Sequence, residues 1–293
     1  MTKPAKSLDE QTLLINEIFY SVQGESTYAG LPCVFVRLRG CHLRCAYCDT
    51  EYAFHEGEKQ SLQAIIDEVE SVSATNPSPP GGGGPRSGSE GDVGVVMAAG
   101  DEDQSEPNSA PTALTPSLSR GERGLNQTQS SCDLVEITGG EPLLQRNVHP
   151  LMTALCDAGK TVLIETSGAC DISVCDPRVI RIMDLKTPGS GEAHRNDWNN
   201  IAHLNERDEV KFVLTSRGDY EWMVKQLEEH RLHERVNAVL VSAVHKVEPG
   251  KEIAGCLGLS ITELAGWLLQ DRLPVRLQTQ LHKLIWDPSA RGV

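Results

Sequence analysis

The sequence predicts an α/β fold carried on a parallel sheet, and three observations predict it. Short apolar, β-branched stretches alternate along the chain with segments whose apolar residues recur at helical spacing. The stretches end in polar or glycine-rich motifs, and in parallel sheets functional groups gather at the carboxyl ends of the strands. One block, Asn76 to Ser131, breaks the pattern with PSPPGGGGPRSGSEG and DEDQSEPNSAP. Such a composition buries too little apolar surface to offset its ordering entropy, so it reads as a disordered insertion (76–131) within a single domain spanning 1–293.

In chain order, Leu13 to Phe19 is a first strand, followed by the polar turn Tyr20-Ser21-Val22-Gln23-Gly24-Glu25. Cys33 to Leu38 (CVFVRL) is a buried strand that delivers Arg39-Gly40 and a cysteine-rich loop. After Thr50 comes a polar connector, then a helix capped by Ser61 with Leu62, Ile65, Ile66 and Val69 on one face. Beyond the insertion, Asp133 to Ile137 is a strand ending in Thr138-Gly139-Gly140-Glu141-Pro142. A helix beginning at Pro142 carries Leu143 to Leu155 at helical spacing and stops at Gly159. Strands follow at Thr161 to Glu165, Val179 to Leu185, Glu209 to Leu214 and Ala238 to Val244. Helices are expected from about Asp219 to His230 and from Ser260 to Gln270, and Val275 to Leu281 is a last strand. Each polar motif sits at a strand's carboxyl end, which implies one active-site face.

Composition narrows the class. Of 293 residues 39% are hydrophobic, enough for a sizeable core, yet no window is long and apolar enough to span a bilayer. Met1 to Gln11 lacks the apolar region of a signal peptide. Nine cysteines without an export signal point to a reducing, cytoplasmic setting and to thiolate chemistry. A net charge of −14 disfavours binding to nucleic acid or an anionic membrane and leaves small molecules as the expected partners.

The chemistry concentrates in Cys41-His42-Leu43-Arg44-Cys45-Ala46-Tyr47-Cys48-Asp49-Thr50. Iron–sulfur clusters are held by cysteine thiolates, and three ligands leave one iron of a cubane open to a small molecule. Structural zinc wants four N or S ligands; His42 or Cys33 would complete such a set, but no second Cys-x2-Cys lies downstream. Cys132, Cys156, Cys170, Cys175 and Cys256 are scattered and read as buried or surface thiols, and Cys33 as core.

A Cys-x3-Cys-x2-Cys triplet with an aromatic residue before its last cysteine resembles the cluster loop of the radical S-adenosylmethionine (SAM) superfamily. Gly139-Gly140-Glu141-Pro142, alone only a tight turn, then resembles the superfamily's Gly-Gly-Glu-Pro motif, whose backbone and acidic groups receive the SAM amino group. Tyr20 to Ser26 (YSVQGES), Phe35 to Cys41 (FVRLRGC), Cys48-Asp49-Thr50 and Arg276 to Lys283 (RLQTQLHK) are together similar to the 7-carboxy-7-deazaguanine synthase family of queuosine and deazapurine biosynthesis. The similarity spans the chain apart from the insertion.

That resemblance implies an incomplete β/α barrel of the radical SAM type. It implies a 4Fe-4S cluster on Cys41, Cys45 and Cys48, with SAM on the fourth iron. It implies SAM contacts at Tyr47, Cys48, Asp49 and Gly140, and at the later strand ends at Asp184, Leu185, Lys186, Ser242 and His245. Thr50 is implied as a magnesium ligand, and Val22, Gln23, Gly24, Arg37, Thr138 and Pro288 as substrate contacts. An amide such as Gln23 suits a pterin edge and a guanidinium suits a carboxylate. The implied reaction begins when a reduced cluster gives one electron to SAM, yielding methionine and a 5′-deoxyadenosyl radical. The radical takes hydrogen from C6 of 6-carboxy-5,6,7,8-tetrahydropterin, the ring contracts, ammonia leaves and SAM is regenerated. A flavodoxin or ferredoxin as electron donor and a homodimer are implied as well. Two alternatives stay open at this point: an activator of glycyl-radical enzymes, and a non-catalytic zinc-binding protein.

Overall fold

A computed structural model describes residues 6–74, 132–245, 256, 258–287 and 290–293. The described elements belong to one compact unit, Met1–Pro77 with Ser130–Val293. The expected insertion at 76–131 falls wholly outside the described residues, as does Pro288.

The strands are β1 (Thr12–Val22), β2 (Pro32–Leu38), β3 (Glu58–Ser61), β4 (Leu134–Gly139), β5 (Thr161–Thr166), β6 (Ile180–Asp184), β7 (Glu209–Leu214), β8 (Ala238–Ala243) and β9 (Arg276–Gln278). They form one sheet in the order β3-β1-β2-β4-β5-β6-β7-β8-β9, with β3 and β9 at its two edges, so the barrel stays open as expected. From β2 to β9 every pairing is parallel. The expected parallel sheet carries an antiparallel edge on the β3 side. There β1 runs antiparallel to both β2 and β3, because the nine residues between β1 and β2 return the chain directly without a crossover helix.

Helices α1 (Leu62–Ala74), α2 (Val148–Asp157), α3 (Arg217–Glu229) and α4 (Ile261–Asp271) cover one face, and a short α5 (His282–Ile285) follows β9. The caps read from sequence are present: the Ser61 hydroxyl accepts from the Ala64 amide and the Ser260 hydroxyl from the Glu263 amide. The continuous helix expected from Pro142 is instead a 3-10 turn, Pro142–Leu144, then a break at Gln145, then α2. The break lets the Gln145 carboxamide bond the Leu14 amide at 2.8 Å and the Leu14 and Arg39 carbonyls at 3.0 and 2.9 Å. The connector after Thr50 holds a 3-10 turn (Glu51–Phe54) and β3, and the last strand is shorter than expected because the chain turns into α5. No helix among the described residues is long and apolar enough to cross a membrane.

Alternation along the strands sorts the side chains. Val34, Val36, Val135, Ile137, Val162, Ile164, Val210 and Phe212 join the helix-side core, each essentially inaccessible to solvent. The opposite, concave face begins with a second apolar cluster of Cys33, Phe35, Leu134, Leu163, Ile180 and Ile182. Further along the same face come Arg37, Glu136, Thr138, Glu165, Asp184 and Lys211, and these line a cavity.

Candidate active site

The cavity holds about 420 Å³, enough for a small-molecule ligand, and the cysteine loop forms one wall of it. β2 ends at Leu38 and the chain reverses at Gly40 (φ +99°). The Gly40 amide donates to the Ala53 carbonyl at 2.8 Å, and the Gly40 carbonyl accepts from the Glu141 amide at 2.8 Å. A Cβ on Gly140 would overlap the Gly40 carbonyl and the Cys41 side chain, so only glycine lets the two loops meet. Leu43 is buried, the Ala46 amide donates to the Ser190 carbonyl at 3.0 Å, and the Arg44 guanidinium lies 4.3 Å over the Phe54 ring. The loop is thus fixed by neighbours on both sides.

Cys41, Cys45 and Cys48 are half-buried, free of disulfides and all in the cavity wall. Soft thiols on one short loop are the donor set that an iron–sulfur cluster takes. Among the described residues no three His, Cys, Asp or Glu side chains converge as ligands of one metal ion. A cubane takes each thiolate on a separate iron, so its cysteines need not converge on one ion. Burial pushes all three thiols up, Cys45 to about 11, so they hold their protons at neutral pH until a metal displaces them.

Glu141 does not face the cavity as the motif reading expected of an acidic group there. It is fully buried; its carboxylate accepts from the Leu143 amide at 3.0 Å, the Thr166 hydroxyl at 2.9 Å, and the Ser167 amide at 2.7 Å and hydroxyl. Its task is to tie the end of β4 to the end of β5.

Opposite the cysteines stands a charged wall. Lys211 pairs with both Glu25 and Glu165, Thr138 donates to Glu165 at 3.2 Å, and the Gln23 amide donates to Glu136. Burial raises the Glu136 carboxyl well above the usual carboxylate range, helped by the negative charges of Glu165 and Glu25. Burial acts on Glu165 in the same direction, but the Lys211 ammonium outweighs it and holds Glu165 below that range. Glu25, Glu136, Glu165 and Lys211 were not expected as site residues. For the three on strands the signal was charge in the inward register of a largely apolar strand: Glu136 in LVEITG, Glu165 in TVLIET, and Lys211, two residues after Glu209, in EVKFVL.

The single active-site face also needs correction. Because β1 is antiparallel, the turn carrying Gln23, Gly24 and Glu25 lies at the amino ends of the parallel strands, where Val22 pairs with Pro32. The turn crosses beneath the cavity: the Thr27 amide donates to Glu209 at the start of β7, and the Asn237 amide reaches the Thr27 hydroxyl. The segment after β9 bridges the two ends. Leu281 donates its amide to the Gly24 carbonyl at 3.0 Å, Gln280 donates to Glu25 at 2.8 Å and to Asp49 at 3.3 Å, and Lys283 pairs with Asp49. Desolvation works against ionisation of Asp49, but Lys283 overcomes it and keeps the carboxyl well below its ordinary range.

Most residues expected at the site share this cavity: Val22, Gln23, Gly24, Arg37, Cys41, Cys45, Tyr47, Cys48, Asp49, Thr50, Thr138, Gly140, Asp184, Lys186 and His245. Lys186 pairs with Asp184 at 2.8 Å, and Thr50 donates its hydroxyl to Asp49 at 2.9 Å. Two lie outside the wall. The Leu185 side chain is fully buried in the helix-side core, since its position alternates away from Asp184, and Ser242 is buried within β8. The Gln23 carboxamide is engaged at both ends, by Glu136 and by the Glu25 amide at 2.8 Å.

No family model matches the chain. The chain is 37% identical over 281 residues to the 7-carboxy-7-deazaguanine synthase of Koribacter versatilis (strain Ellin345), covering 95% of this chain and 99% of that protein. It is 35% identical over 287 residues to the 7-carboxy-7-deazaguanine synthase of Chlorobaculum tepidum, covering 97% and 99%. Its fold is similar to the crystal structure of QueE from Escherichia coli, with a TM-score of 0.56 at 18% identity over 92% of this chain and 94% of the other.

Proposed function

The chain belongs to the 7-carboxy-7-deazaguanine synthase family, and we propose that its cavity converts 6-carboxy-5,6,7,8-tetrahydropterin to 7-carboxy-7-deazaguanine with loss of ammonia. One observation carries this reading: the three free cysteines, a guanidinium and a wall of paired carboxyls line the same cavity. Cys41, Cys45 and Cys48 hold a 4Fe-4S cluster, with Tyr47, Asp49, Gly140, Asp184, Lys186 and His245 around SAM. When bound, cluster and SAM supply a 5′-deoxyadenosyl radical by one-electron reduction. The side chains of Leu185 and Ser242 are buried behind that wall, so any contact of theirs with SAM runs through the backbone.

The chain's own residues orient the substrate and move protons. Arg37 meets the substrate carboxylate, since a planar guanidinium binds it with two parallel hydrogen bonds. Its Nε is engaged by Glu17, while its Nη atoms make no hydrogen bond among the described residues. Gln23, held by Glu136 and the Glu25 amide, keeps one amide hydrogen and one lone pair for the pterin's amide-like edge, and Gly24 is small because the His282 ring fills the space beside it. Glu136 keeps its proton and Glu165 is ionised, an arrangement that supplies a proton donor and a proton acceptor at one pH. Glu165 takes the ring proton as the new ring becomes aromatic, and Glu136 gives one to the departing nitrogen. The balance closes without an outside oxidant: carboxytetrahydropterin equals carboxydeazaguanine plus ammonia. Thr50 would offer a hard oxygen to a magnesium ion, which would help bind the substrate's oxygens. The electron comes from a flavodoxin or ferredoxin, and the working species is a cytoplasmic homodimer.

Anaerobic reconstitution with iron and sulfide tests the reading. Wild-type protein is expected to show thiolate-to-iron absorbance near about 400 nm and to turn over the pterin, and Cys45→Ala to lose both. SAM cleavage with the pterin left untouched, or uptake of zinc alone, would contradict it.

A further inference from the structure

Glu17 is outside the cavity wall, yet it governs how Arg37 stands within it. The cause is one extra residue in β1. Ile15 pairs with Leu38 and Glu17 with Arg37, so Asn16 is bulged out of the β1–β2 ladder. Before the bulge, Leu13 and Ile15 point to the helix-side core; after it, Ile18 and Tyr20 do. The alternation has inverted, and Glu17 and Phe19 now sit on the concave face, paired with Arg37 and Phe35. Phe19 stacks on Phe35 with centroids 5.0 Å apart and lies beneath the guanidinium.

One carboxylate oxygen of Glu17 accepts from Arg37 Nε at 2.7 Å and from the Tyr52 hydroxyl at 2.9 Å. The guanidinium carbon lies 5.6 Å from the Phe19 ring centre and 5.9 Å from that of Tyr52. The Arg291 guanidinium, itself paired with Glu56 at 2.7 Å, lies 3.9 Å from the Tyr52 ring centre. Arg37 is therefore gripped along its Nε edge and by two rings, with the paired Nη end left for a ligand. A fork ordered before its ligand arrives loses less freedom on binding.

We propose that Glu17, brought to the concave face by the Asn16 bulge and joined by Tyr52, is a positioning residue that presets Arg37 as a carboxylate fork and so selects a carboxylated ring substrate. This rests on the reading of Arg37 as the carboxylate-binding residue.

The test uses reconstituted enzyme with SAM and the variants Glu17→Gln, Glu17→Ala, Tyr52→Phe and Arg37→Ala. KM and kcat are measured with 6-carboxy-5,6,7,8-tetrahydropterin, and Ki with 5,6,7,8-tetrahydropterin, which lacks the carboxylate. Glu17→Gln is expected to raise KM about tenfold, the scale of one hydrogen bond to a charged group, with Glu17→Ala worse and Tyr52→Phe smaller. The Ki of the uncharged-side analogue should stay put in all three, which a general loss of structure would not allow. Tyr52→Phe removes one hydroxyl and keeps the ring, so it reports even where a Glu17 variant folds poorly. An unchanged or lowered KM in the Glu17 and Tyr52 variants, with KM raised in Arg37→Ala, would overturn the inference and leave the function standing. An unchanged KM in Arg37→Ala would overturn both the role of Arg37 and the inference, and a wild type inert toward the pterin would overturn the function itself.

Discussion

Glu136 and Glu165 occupy neighbouring strands and the same cavity, yet their surroundings drive their proton affinities apart. Burial and the nearby Glu165 and Glu25 charges raise Glu136, while Lys211 holds Glu165 low against its own burial. A carboxyl raised in the folded state lowers stability as pH rises: below its unfolded pKa of about 4.3 it is protonated in both states, above that the unfolded chain releases the proton and the folded chain must retain it. Glu136→Gln removes this opposition and keeps an acceptor for Gln23. The variant should therefore melt at a higher temperature than wild type at about pH 8 and at nearly the same temperature at about pH 4, while turnover falls. A stability difference independent of pH across that window, read by calorimetry, would contradict the assignment. Each of these residues shows in the sequence only as a single charge within an apolar strand, and its pairing across strands depends on register that sequence leaves open.

At the scale of elements, what periodicity dictates was legible. β4, β5, β6, β7 and β8 and their helices follow from alternating apolar runs, and Ser61 and Ser260 cap the helices they announced. What depends on distant partners was not. Leu143 and Leu144 carry a helical pattern into α2, but Gln145 breaks it because its side chain serves the backbone of Leu14 and Arg39 more than 100 residues away. Gln145→Ala removes these hydrogen bonds, which lie at an exposed edge, and should cost about 0.5–1.5 kcal/mol, read as a lowered denaturant midpoint. An unaltered midpoint would mean that the break has another cause. The Asn16 bulge was equally hidden, since β1 reads as a plain apolar run and only its partner strand reveals the extra residue.

At the scale of the whole molecule, the open sheet brings together groups that sequence order keeps far apart. The cysteine loop stands at the carboxyl ends of the parallel strands and the Gln23 turn at their amino ends. Gln280 and Lys283 tie the two, meeting Glu25 and Asp49. The motifs themselves were legible, because Cys41, Cys45, Cys48 and Gly140 stand in short local patterns, and the fold brings them to one cavity. Their separation on opposite sides of one cavity was not, because it follows from the antiparallel path of β1. In the proposed reading substrate lies between the radical source and the charged wall, and this is the central claim. The direct test is turnover of 6-carboxy-5,6,7,8-tetrahydropterin deuterated at C6 by the reconstituted enzyme, followed by mass spectrometry of the recovered SAM. Deuterium in its 5′-deoxyadenosyl moiety is the expected result; product formed with SAM left unlabelled would contradict it.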